Sequence, residues 1–291
     1  EFMINSEVFK APEVELAGYE DLSHEKKIEM DRHRVSWNLS QFLHGEQGAL
    51  LVASQLVSCA PTFNAKMYAA SQTFDEARHV EGFNRYLKEK IGFQYPATKG
   101  LKSLMDKILT DERWDLKFIG MQIIIEGLAL AAFNNMKFIL NDGLLKQLLH
   151  YVIRDEARHV TFGVNYLEDY LKSLSKSEIE ERAEFAFEAC LVMRGRLISG
   201  EVVARFLDYT PEEADKIAYE SEQGQNFRTL LFTKIIPNLK RIGLLTDSVK
   251  EKYEQIGVLS YAELEDNFNV DWAEMSKPYE TQEEIEKAIS L

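Results

Sequence analysis

The hexapeptide Asp-Glu-Ala-Arg-His-Val occurs twice in this chain, at residues 75–80 and again at residues 155–160, so the two copies lie 80 residues apart. On a helix, residues three positions apart lie on one face, and each copy can therefore direct its glutamate and histidine at one point. These residues are Glu76 and His79 in the first copy and Glu156 and His159 in the second. The repeat predicts two similar helices whose Glu-x-x-His pairs face a common centre.

A single glutamate precedes each copy at the same distance. Glu46 lies 30 residues before Glu76, and Glu126 lies 30 residues before Glu156. Four helices that contribute Glu, Glu-x-x-His, Glu and Glu-x-x-His carry the ligand set of ferritin-like di-iron and di-manganese proteins. We predict that six side chains bind two metal ions inside a helical bundle. They are Glu46, Glu76, His79, Glu126, Glu156 and His159.

The donors of this predicted site favour iron or manganese. Carboxylate oxygens with one imidazole for each metal suit these ions, whereas zinc and copper sites rely more on thiolates or on several imidazoles. Four carboxylates also balance the charge of two divalent ions. We therefore expect two metal ions, Fe/Fe or Mn/Fe, with O2 as a co-substrate.

In both copies an aspartate stands before the glutamate and an arginine stands two residues after it. A metal-bound histidine normally donates its other N–H group to a carboxylate. We predict a crossed arrangement, in which Asp75 pairs with His159 and Asp155 pairs with His79. Arg78 and Arg158 are either charges that surround the ligands or packing residues, and we favour the first because both copies keep them.

The segment from Phe118 to Phe133 is almost entirely apolar, and its polar exceptions are Gln122 and Glu126. A helix that is apolar on all sides is buried, and an isolated carboxylate there is costly unless it is neutralised or coordinated. A buried glutamate is sometimes only protonated or paired with an arginine. The spacing that Glu126 shares with the other motifs favours a ligand. Gln122, one turn earlier, is predicted to lie over the metals or to bond Glu126.

Residues within about one turn of the predicted ligands are candidates for a substrate pocket. The small ones either leave room for a substrate or only allow the helices to pack closely, and the sequence does not separate these alternatives. The candidate pocket residues are Gly48, Ala49, Phe83, Met121, Gln122 and Gly163.

The composition is that of an ordinary globular protein, with 45% hydrophobic and 28% charged residues in a chain of 291. A formal net charge of −14 argues against binding to nucleic acid or to an anionic membrane surface. We expect no signal peptide and no membrane-spanning segment. The two cysteines, Cys59 and Cys190, form no disulfide framework, which predicts a cytoplasmic location.

Helical periodicity dominates the chain, and Pro, Gly and Asn residues divide it. The bundle helices are predicted at about residues 23–59, 64–91, 112–141 and 144–174. Further helices are predicted at about 98–110, 176–206, 224–242 and 246–256. We therefore predict an all-α fold with a ferritin-like four-helix bundle core and additional C-terminal helices. The predicted division is a lead-in at 1–22, one helical domain at 23–256 with its metal-binding core at 23–174, and an acidic tail at 257–291.

The sequence resembles the ligand-binding oxidases related to ribonucleotide reductase small subunits, within the ferritin-like superfamily. The segments that carry the resemblance are Phe42–Glu46, Met67-Tyr68 followed by Phe74–His79, Ile125–Leu130, and Asp155–His159. Together they lie within about residues 30–170. The resemblance implies a Mn/Fe or di-iron site, activation of O2 and a long-chain fatty acid as ligand.

At several positions the chain departs from the pattern of these families. Phe83 stands where a conventional reductase subunit has its radical tyrosine, so a radical-storing subunit is not expected. Gly48 and Met121 occupy the positions of the Val and Tyr that become cross-linked in the ligand-binding oxidases. Val152 replaces the additional histidine ligand of aryl-amine N-oxygenases. The shared metal ligands are present, while these family-specific residues are not.

We therefore expect an oxidase or oxygenase that acts on a small organic or fatty-acid-like substrate. No nucleotide-binding or Fe–S motif is recognisable, so an external electron donor is expected; a homodimer is left open. The chain beyond residue 176, which an iron-storage bundle would not need, is the main argument for a substrate. The alternatives are a metal-binding or ferroxidase protein without an organic substrate, and an N-oxygenase of amines.

Overall fold

A computed structural model of the protein describes residues 1–7, 9, 11–194, 199–267 and 270–280. Over these ranges the chain forms helices and connecting turns, with one isolated β-bridge between Ile4 and Leu140 and no β-strand. The prediction of an all-α fold, with a helical bundle followed by further helices, is confirmed.

Four long helical rods form the bundle, and they run close to the predicted ranges. The third rod is composite, because a π-helical segment joins α4 to α5 without a break. The elements are α1 (His24–Cys59), α2 (Phe63–Tyr86) with a π turn (Leu87–Ile91), α3 (Lys99–Thr110), α4 (Trp114–Phe118), the π segment (Ile119–Ile125), α5 (Glu126–Ile139) and α6 (Gly143–Leu171).

Side-chain caps define where three of these helices begin. The side chains of Ser23, Thr62 and Asp142 accept hydrogen bonds from backbone N–H groups in the first turns of α1, α2 and α6, respectively. Such caps stabilise a helix by about 1 kcal/mol each. The caps at Thr62 and Asp142 directly follow the sharp connections in the two helical hairpins, in which α1 packs along α2 and α5 packs along α6.

The rod from Trp114 to Ile139 lies in the centre of the hydrophobic core, as its apolar sequence predicts. It is long and apolar enough to cross a membrane by length and composition, with a mean hydropathy of 1.7 in its most apolar window, but 94% of that window is buried. Burial on all sides accounts for the apolar surface of this rod, so it is a core helix, and the described chain contains no clear membrane span.

The C-terminal half adds shorter helices beside the bundle. They are α7 (Lys176–Arg194), α8 (Gly200–Phe206), α9 (Pro211–Glu220), α10 (Glu222–Leu230), α11 (Ile236–Arg241), α12 (Asp247–Gln255) and α13 (Trp272–Met275), with 3-10 turns at Pro12–Glu15, Leu231–Lys234 and Leu259–Glu263.

The predictions of two long helices in this half are wrong. The range 176–206 is interrupted at Ser199, whose φ of −108° and ψ of 48° are not helical; residues 195–198 lie outside the described part. Within the predicted range 224–242, one helix ends at Leu230, and a new helix begins at Ile236 with Pro237 in its first turn. Proline lacks the N–H group that a helix interior needs, so it starts α11 rather than kinking a longer helix.

The chain after residue 257 returns across the bundle. Thr161 on α6 donates a hydrogen bond to the carbonyl oxygen of Asn267, over 2.9 Å, and Asn238 bonds the Asn267 side chain over 3.0 Å. Farther along, Tyr151 donates to the Glu280 carboxylate over 2.6 Å. Residues 281–291 of the predicted tail lie outside the described range, and the division into lead-in, domain and tail stays a prediction.

Candidate metal centre

All six predicted ligands meet at the centre of the bundle, and none is more than 5% exposed. Glu46 lies on α1, Glu76 and His79 on α2, Glu126 at the start of α5, and Glu156 and His159 on α6. Their donor atoms form two groups, each with all atoms within 4.8 Å of one another. One group is Glu46, Glu76, His79 and Glu156, and the other is Glu76, Glu126 and His159. Glu76 belongs to both groups, so its carboxylate could contribute a ligand to either one.

Both imidazoles turn the same ring nitrogen toward the carboxylates. His79 Nδ1 lies 3.1 Å from Glu156 Oε1 and 3.2 Å from Glu46 Oε2. His159 Nδ1 lies 3.1 Å from Glu76 Oε1. Nδ1 is therefore the atom that each histidine would offer to a metal ion in this cluster.

The other ring nitrogen of each histidine contacts an aspartate in the crossed arrangement that the repeat predicts. His79 Nε2 lies 3.3 Å from Asp155 Oδ2, and His159 Nε2 lies 3.4 Å from Asp75 Oδ2. A neutral imidazole that donates its Nε2–H group has a lone pair on Nδ1. The aspartates thus fix the orientation of the rings and favour the tautomer that metal binding would require.

Two arginines close this layer on the outside. Arg78 Nη2 donates to Asp75 and, over 2.9 Å, to Asp155, while Arg158 Nη2 lies 2.7 Å from Asp155 Oδ1 and 3.3 Å from Asp75 Oδ2. Burial alone would raise the pKa of Asp75, but the hydrogen bonds from His159 and Arg78 lower it below its usual range. In the same way, burial would raise the pKa of Asp155, but the hydrogen bond from His79 and the charge of Arg158 outweigh it and lower that pKa. Both aspartates are therefore ionised acceptors.

Several donor atoms in the cluster have no hydrogen-bond partner within the described residues. They are Glu76 Oε2, Glu126 Oε2, Glu156 Oε1 and His159 Nδ1. Nearly all buried polar atoms in folded proteins are paired, so four unpaired atoms at one point need an explanation. Carboxylate oxygens and imidazole nitrogens are suitable ligands for iron or manganese, and the cluster could hold metal ions.

The glutamates of the cluster differ in their electrostatic surroundings. Burial, and then the charge of Glu156, raise the pKa of Glu46 well above its usual value. Burial likewise raises the pKa of Glu126 and Glu156. Burial alone would also raise the pKa of Glu76, but the charge of His159, whose Nδ1 lies 3.1 Å from Glu76 Oε1, lowers it. Without a cation, three of the four carboxyl groups thus resist ionisation.

We expect metal binding to release protons and to weaken as the pH falls. Glu46, Glu126 and Glu156 hold their protons to a higher pH than free glutamate does, and a metal ion must displace them. Affinity should be lost as the pH falls through these raised pKa values. Anaerobic calorimetric titration with Mn(II) in two buffers of different ionisation enthalpy measures the proton release. Equal heats in the two buffers would contradict the expectation.

Gln72, which the sequence did not single out, is fully buried beside the ligands. Its Nε2 donates to Glu126 Oε1 over 2.7 Å and to Glu76 Oε1 over 3.1 Å. Gln122 donates in turn to Gln72 Oε1 over 3.0 Å. The predicted bond between Gln122 and Glu126 is therefore corrected, because Gln122 acts through Gln72. The only signal in the sequence was the four-residue spacing between Gln72 and Glu76, which places both on one helix face.

Replacing Gln72 with leucine is expected to weaken metal binding by about 10–100-fold, the usual effect of losing a group that orients ligands. The glutamates would lose the donor that holds their Oε1 atoms, while leucine retains the apolar packing. Mn(II) affinity, measured from the paramagnetic resonance signal of the free ion, tests this. Gln94→Leu, at an exposed position, is the control; equal affinities in the two variants would refute the role of Gln72.

A small cavity of about 30 Å³ adjoins the carboxylates of Glu46, Glu126 and Glu156. Ala49 lines it, as predicted for a pocket residue. The other candidate pocket residues, Gly48, Phe83, Met121, Gln122 and Gly163, are absent from its lining in the described part of the chain. A space of this size holds one or two water-sized molecules, which suits O2 but not a larger organic group.

The two glycines among the candidates serve close packing. A Cβ atom on Gly48 would lie 2.0 Å from Met105 Cε, and one on Gly163 would lie 2.5 Å from Gln122 Cβ. The space beside each is thus filled by a neighbouring helix, which favours close packing over an open pocket at these two positions. Phe83 is fully buried, with its ring 5.7 Å from that of Phe133, and it forms part of the core rather than a pocket wall.

Comparison with known proteins assigns no family: no family model and no curated protein matches this sequence. The helical bundle and its buried Glu/His cluster are consistent with a ferritin-like fold.

Proposed function

We propose that this protein is an O2-activating di-metal oxidoreductase, an oxidase or oxygenase with an Fe/Fe or Mn/Fe centre. The observation that carries the proposal is the convergence of six buried donors in two groups that share Glu76. Two redox-active ions bound there would supply electrons to O2 and oxidising power to a substrate. This set of four carboxylates and two imidazoles is the one found in di-iron and di-manganese bundles.

The side chains around the cluster have separate roles in this proposal. The glutamates offset the charge of the ions, and the aspartates fix the imidazoles. Phe42 and Phe133, whose ring centroids are 4.7 Å apart, line the small cavity and present an apolar surface to it. Electrons come from a separate donor, because the chain has no recognisable motif for a second redox cofactor.

The rival function is ferroxidation without an organic substrate. One observation favours it: the cavity of about 30 Å³ beside the carboxylates is too small for more than O2 or water. An oxygenase therefore needs further space next to this cavity.

Anaerobic loading with roughly two Fe(II) ions per chain, followed by exposure to O2, tests both functions. We expect O2 uptake beyond one turnover only when an organic substrate and a reductant are both present, with an oxidised product detected by mass spectrometry. Stoichiometric Fe(II) oxidation with no product from acids, amines or fatty acids would establish the ferroxidase instead. Metal-loaded protein that does not react with O2 would overturn both.

A further inference from the structure

A second cavity, of about 110 Å³, lies between the bundle and the C-terminal helices. Phe42 on α1 and Met136 on α5 form one side of it, and Val203, Ile217 and Phe227 on α8, α9 and α10 form the other. This volume is somewhat smaller than the ~150 Å³ of an engineered apolar cavity that binds benzene. The cavity therefore suits a compact group, such as one ring or a short branched chain, rather than a long alkyl chain.

Arg228 lines this cavity and is only 2% exposed. Its Nη2 donates to the Tyr219 carbonyl, and its guanidinium lies 3.9 Å from the centroid of the Tyr219 ring. Its Nε and Nη1 atoms are buried without a hydrogen-bond partner in the described part of the chain. Five N–H groups in a fixed planar fork make an arginine suited to a carboxylate, and two of its nitrogens are available here.

The charge of Arg228 is also uncompensated. Within the described residues no carboxylate forms an ion pair with it, and burial lowers its pKa, with a smaller contribution from Arg194. Arg34, the other arginine in the cavity wall, is paired with Asp31 over 2.8 Å. A buried cation without an anion is destabilising, and an anionic ligand would offset the lost solvation.

Gln223 gives a second, independent indication of a ligand in the same cavity. Its Oε1 atom is buried and has no donor in the described part of the chain. The Nε2 group of the same side chain donates to Glu15 Oε1 over 2.8 Å, so only its oxygen is unpaired. Unpaired polar atoms on two side chains, in a wall that is otherwise largely apolar, are expected where a ligand with an apolar body and a polar end completes the site.

Phe42 connects this cavity with the metal centre. It lines both the 110 Å³ cavity and the 30 Å³ cavity beside Glu46, Glu126 and Glu156. On α5 the neighbouring residues Ala132 and Phe133 line one cavity each. The two spaces are thus adjacent, with the edge-on contact of the Phe42 and Phe133 rings at their boundary.

On the basis of the proposed function, we propose that the substrate is a compact apolar carboxylic acid of about the size of benzoate. Arg228 binds its carboxylate, and its apolar end lies against Phe42, on the side toward the metal centre. Arg228 is a binding residue, remote from the reacting atoms, and it selects for the anionic end of the substrate.

Binding of benzoate and cyclohexanecarboxylate to the metal-loaded protein, kept anaerobic and followed by calorimetry, tests the proposal. The uncharged benzyl alcohol is the matched ligand. We expect the acids to bind more tightly than the alcohol. Arg228→Gln should weaken the binding of the acids by about 10–100-fold and change the affinity for the alcohol little, because only the acid makes a charge-assisted hydrogen bond. Arg85→Gln, at an exposed arginine on α2, is the control and should change neither the affinity for the acids nor that for the alcohol.

A second variant separates loss of binding from loss of folding. Ala218→Leu adds bulk to the cavity wall and leaves Arg228 in place, so it should weaken the binding of the acids and of the alcohol alike. Retained helical circular dichroism and metal content in both variants show that they are folded. Acids that do not bind the wild-type protein, or that bind equally well after Arg228→Gln, overturn the inference.

Turnover distinguishes failure of this inference from failure of the proposed function. If the acids bind through Arg228 but stimulate no O2 uptake, the cavity is a ligand site and their assignment as substrates is overturned. If other compounds stimulate O2 uptake while the acids do not bind, the function stands and the inference falls.

Discussion

Glu126→Leu is expected to remove metal from the site and at the same time to stabilise the metal-free protein. Glu126 is 2% exposed and lies at the start of α5, in the most apolar rod of the bundle. Burial raises its pKa well above the usual value, so the metal-free fold must keep this carboxyl neutral or tolerate its charge. Replacement of a whole buried ion pair by apolar residues of similar volume is often neutral or stabilising by 1–4 kcal/mol. We expect the same sign for Glu126 alone, because a carboxyl group that keeps its proton leaves no unpaired charge behind when it is removed.

The increase in the free energy of unfolding should be near the lower end of this range, about 1–2 kcal/mol, because Gln72 loses one of its two acceptors. It still donates to Glu76 over 3.1 Å, so its amide is not left without a partner. Metal affinity should fall by more than the ~100-fold that marks the upper end for orienting residues, since a direct ligand is lost. This single substitution would thus show that a ligand of the metal site destabilises the metal-free fold.

Metal analysis after dialysis and thermal unfolding in the presence of a chelator measure the two effects. Glu81→Leu, at an exposed position on α2, is the control for loss of a negative charge and should alter neither metal content nor the unfolding temperature by much. Wild-type metal content in Glu126→Leu would exclude Glu126 as a ligand. A marked fall in the stability of the metal-free variant would show that this carboxyl group serves the fold instead.

The repeat was sufficient to predict which side chains meet, because helix geometry and equal spacing act together. An i, i+3 pair must share a face, and two copies at one offset imply two equivalent helices. Asp75 and Asp155 could be placed for the same reason, since equivalent helices on opposite sides of a centre direct each aspartate at the histidine of the other. The hairpin connections were predictable because Pro61 and the Asn-Asp-Gly turn at 141–143 interrupt the helical pattern.

The π segment Ile119–Ile125 was not predictable. Six of its seven residues are apolar or glycine, and such a run is equally compatible with α and π backbone geometry. Packing around the rod selects the geometry, and that depends on helices far away in sequence. π segments are common near functional sites, and this one ends immediately before Glu126.

Residues whose role depends on a distant neighbour were missed or misread. Gln72 has Val152 as its repeat counterpart, so the repeat does not mark it. Arg228 gains its significance only because α10 folds against a cavity that α1 and α5 also line. Whether the space beside Gly48 is open depends on Met105, which lies in another helix. Local spacing carries no information about such contacts.

Gly163→Ala is expected to destabilise the protein by about 1–2 kcal/mol and to weaken metal binding. A Cβ atom there would lie 2.5 Å from Gln122 Cβ and 3.5 Å from Ile123 Cδ1. Gln122 Cβ is attached directly to the backbone, so relief requires a shift of the π segment or of α6. Overpacking of this kind costs about 1–3 kcal/mol, from which the helical preference of alanine over glycine subtracts about 0.5–1 kcal/mol.

Gly45→Ala on α1 is the matched control, because a Cβ atom there meets nothing within 4 Å. It should stabilise the protein by about 0.5–1 kcal/mol through helix propensity alone. Denaturant unfolding of both variants, with and without Mn(II), gives the comparison. Because Gln122 bonds Gln72, and Gln72 bonds Glu126, the loss in Gly163→Ala should be greater in the metal-loaded protein, which binding stabilises by mass action. Equal stability of the two variants would mean that α6 and the π segment adjust freely. An equal loss with and without metal would mean that close packing at Gly163 supports the bundle but not the position of the ligands.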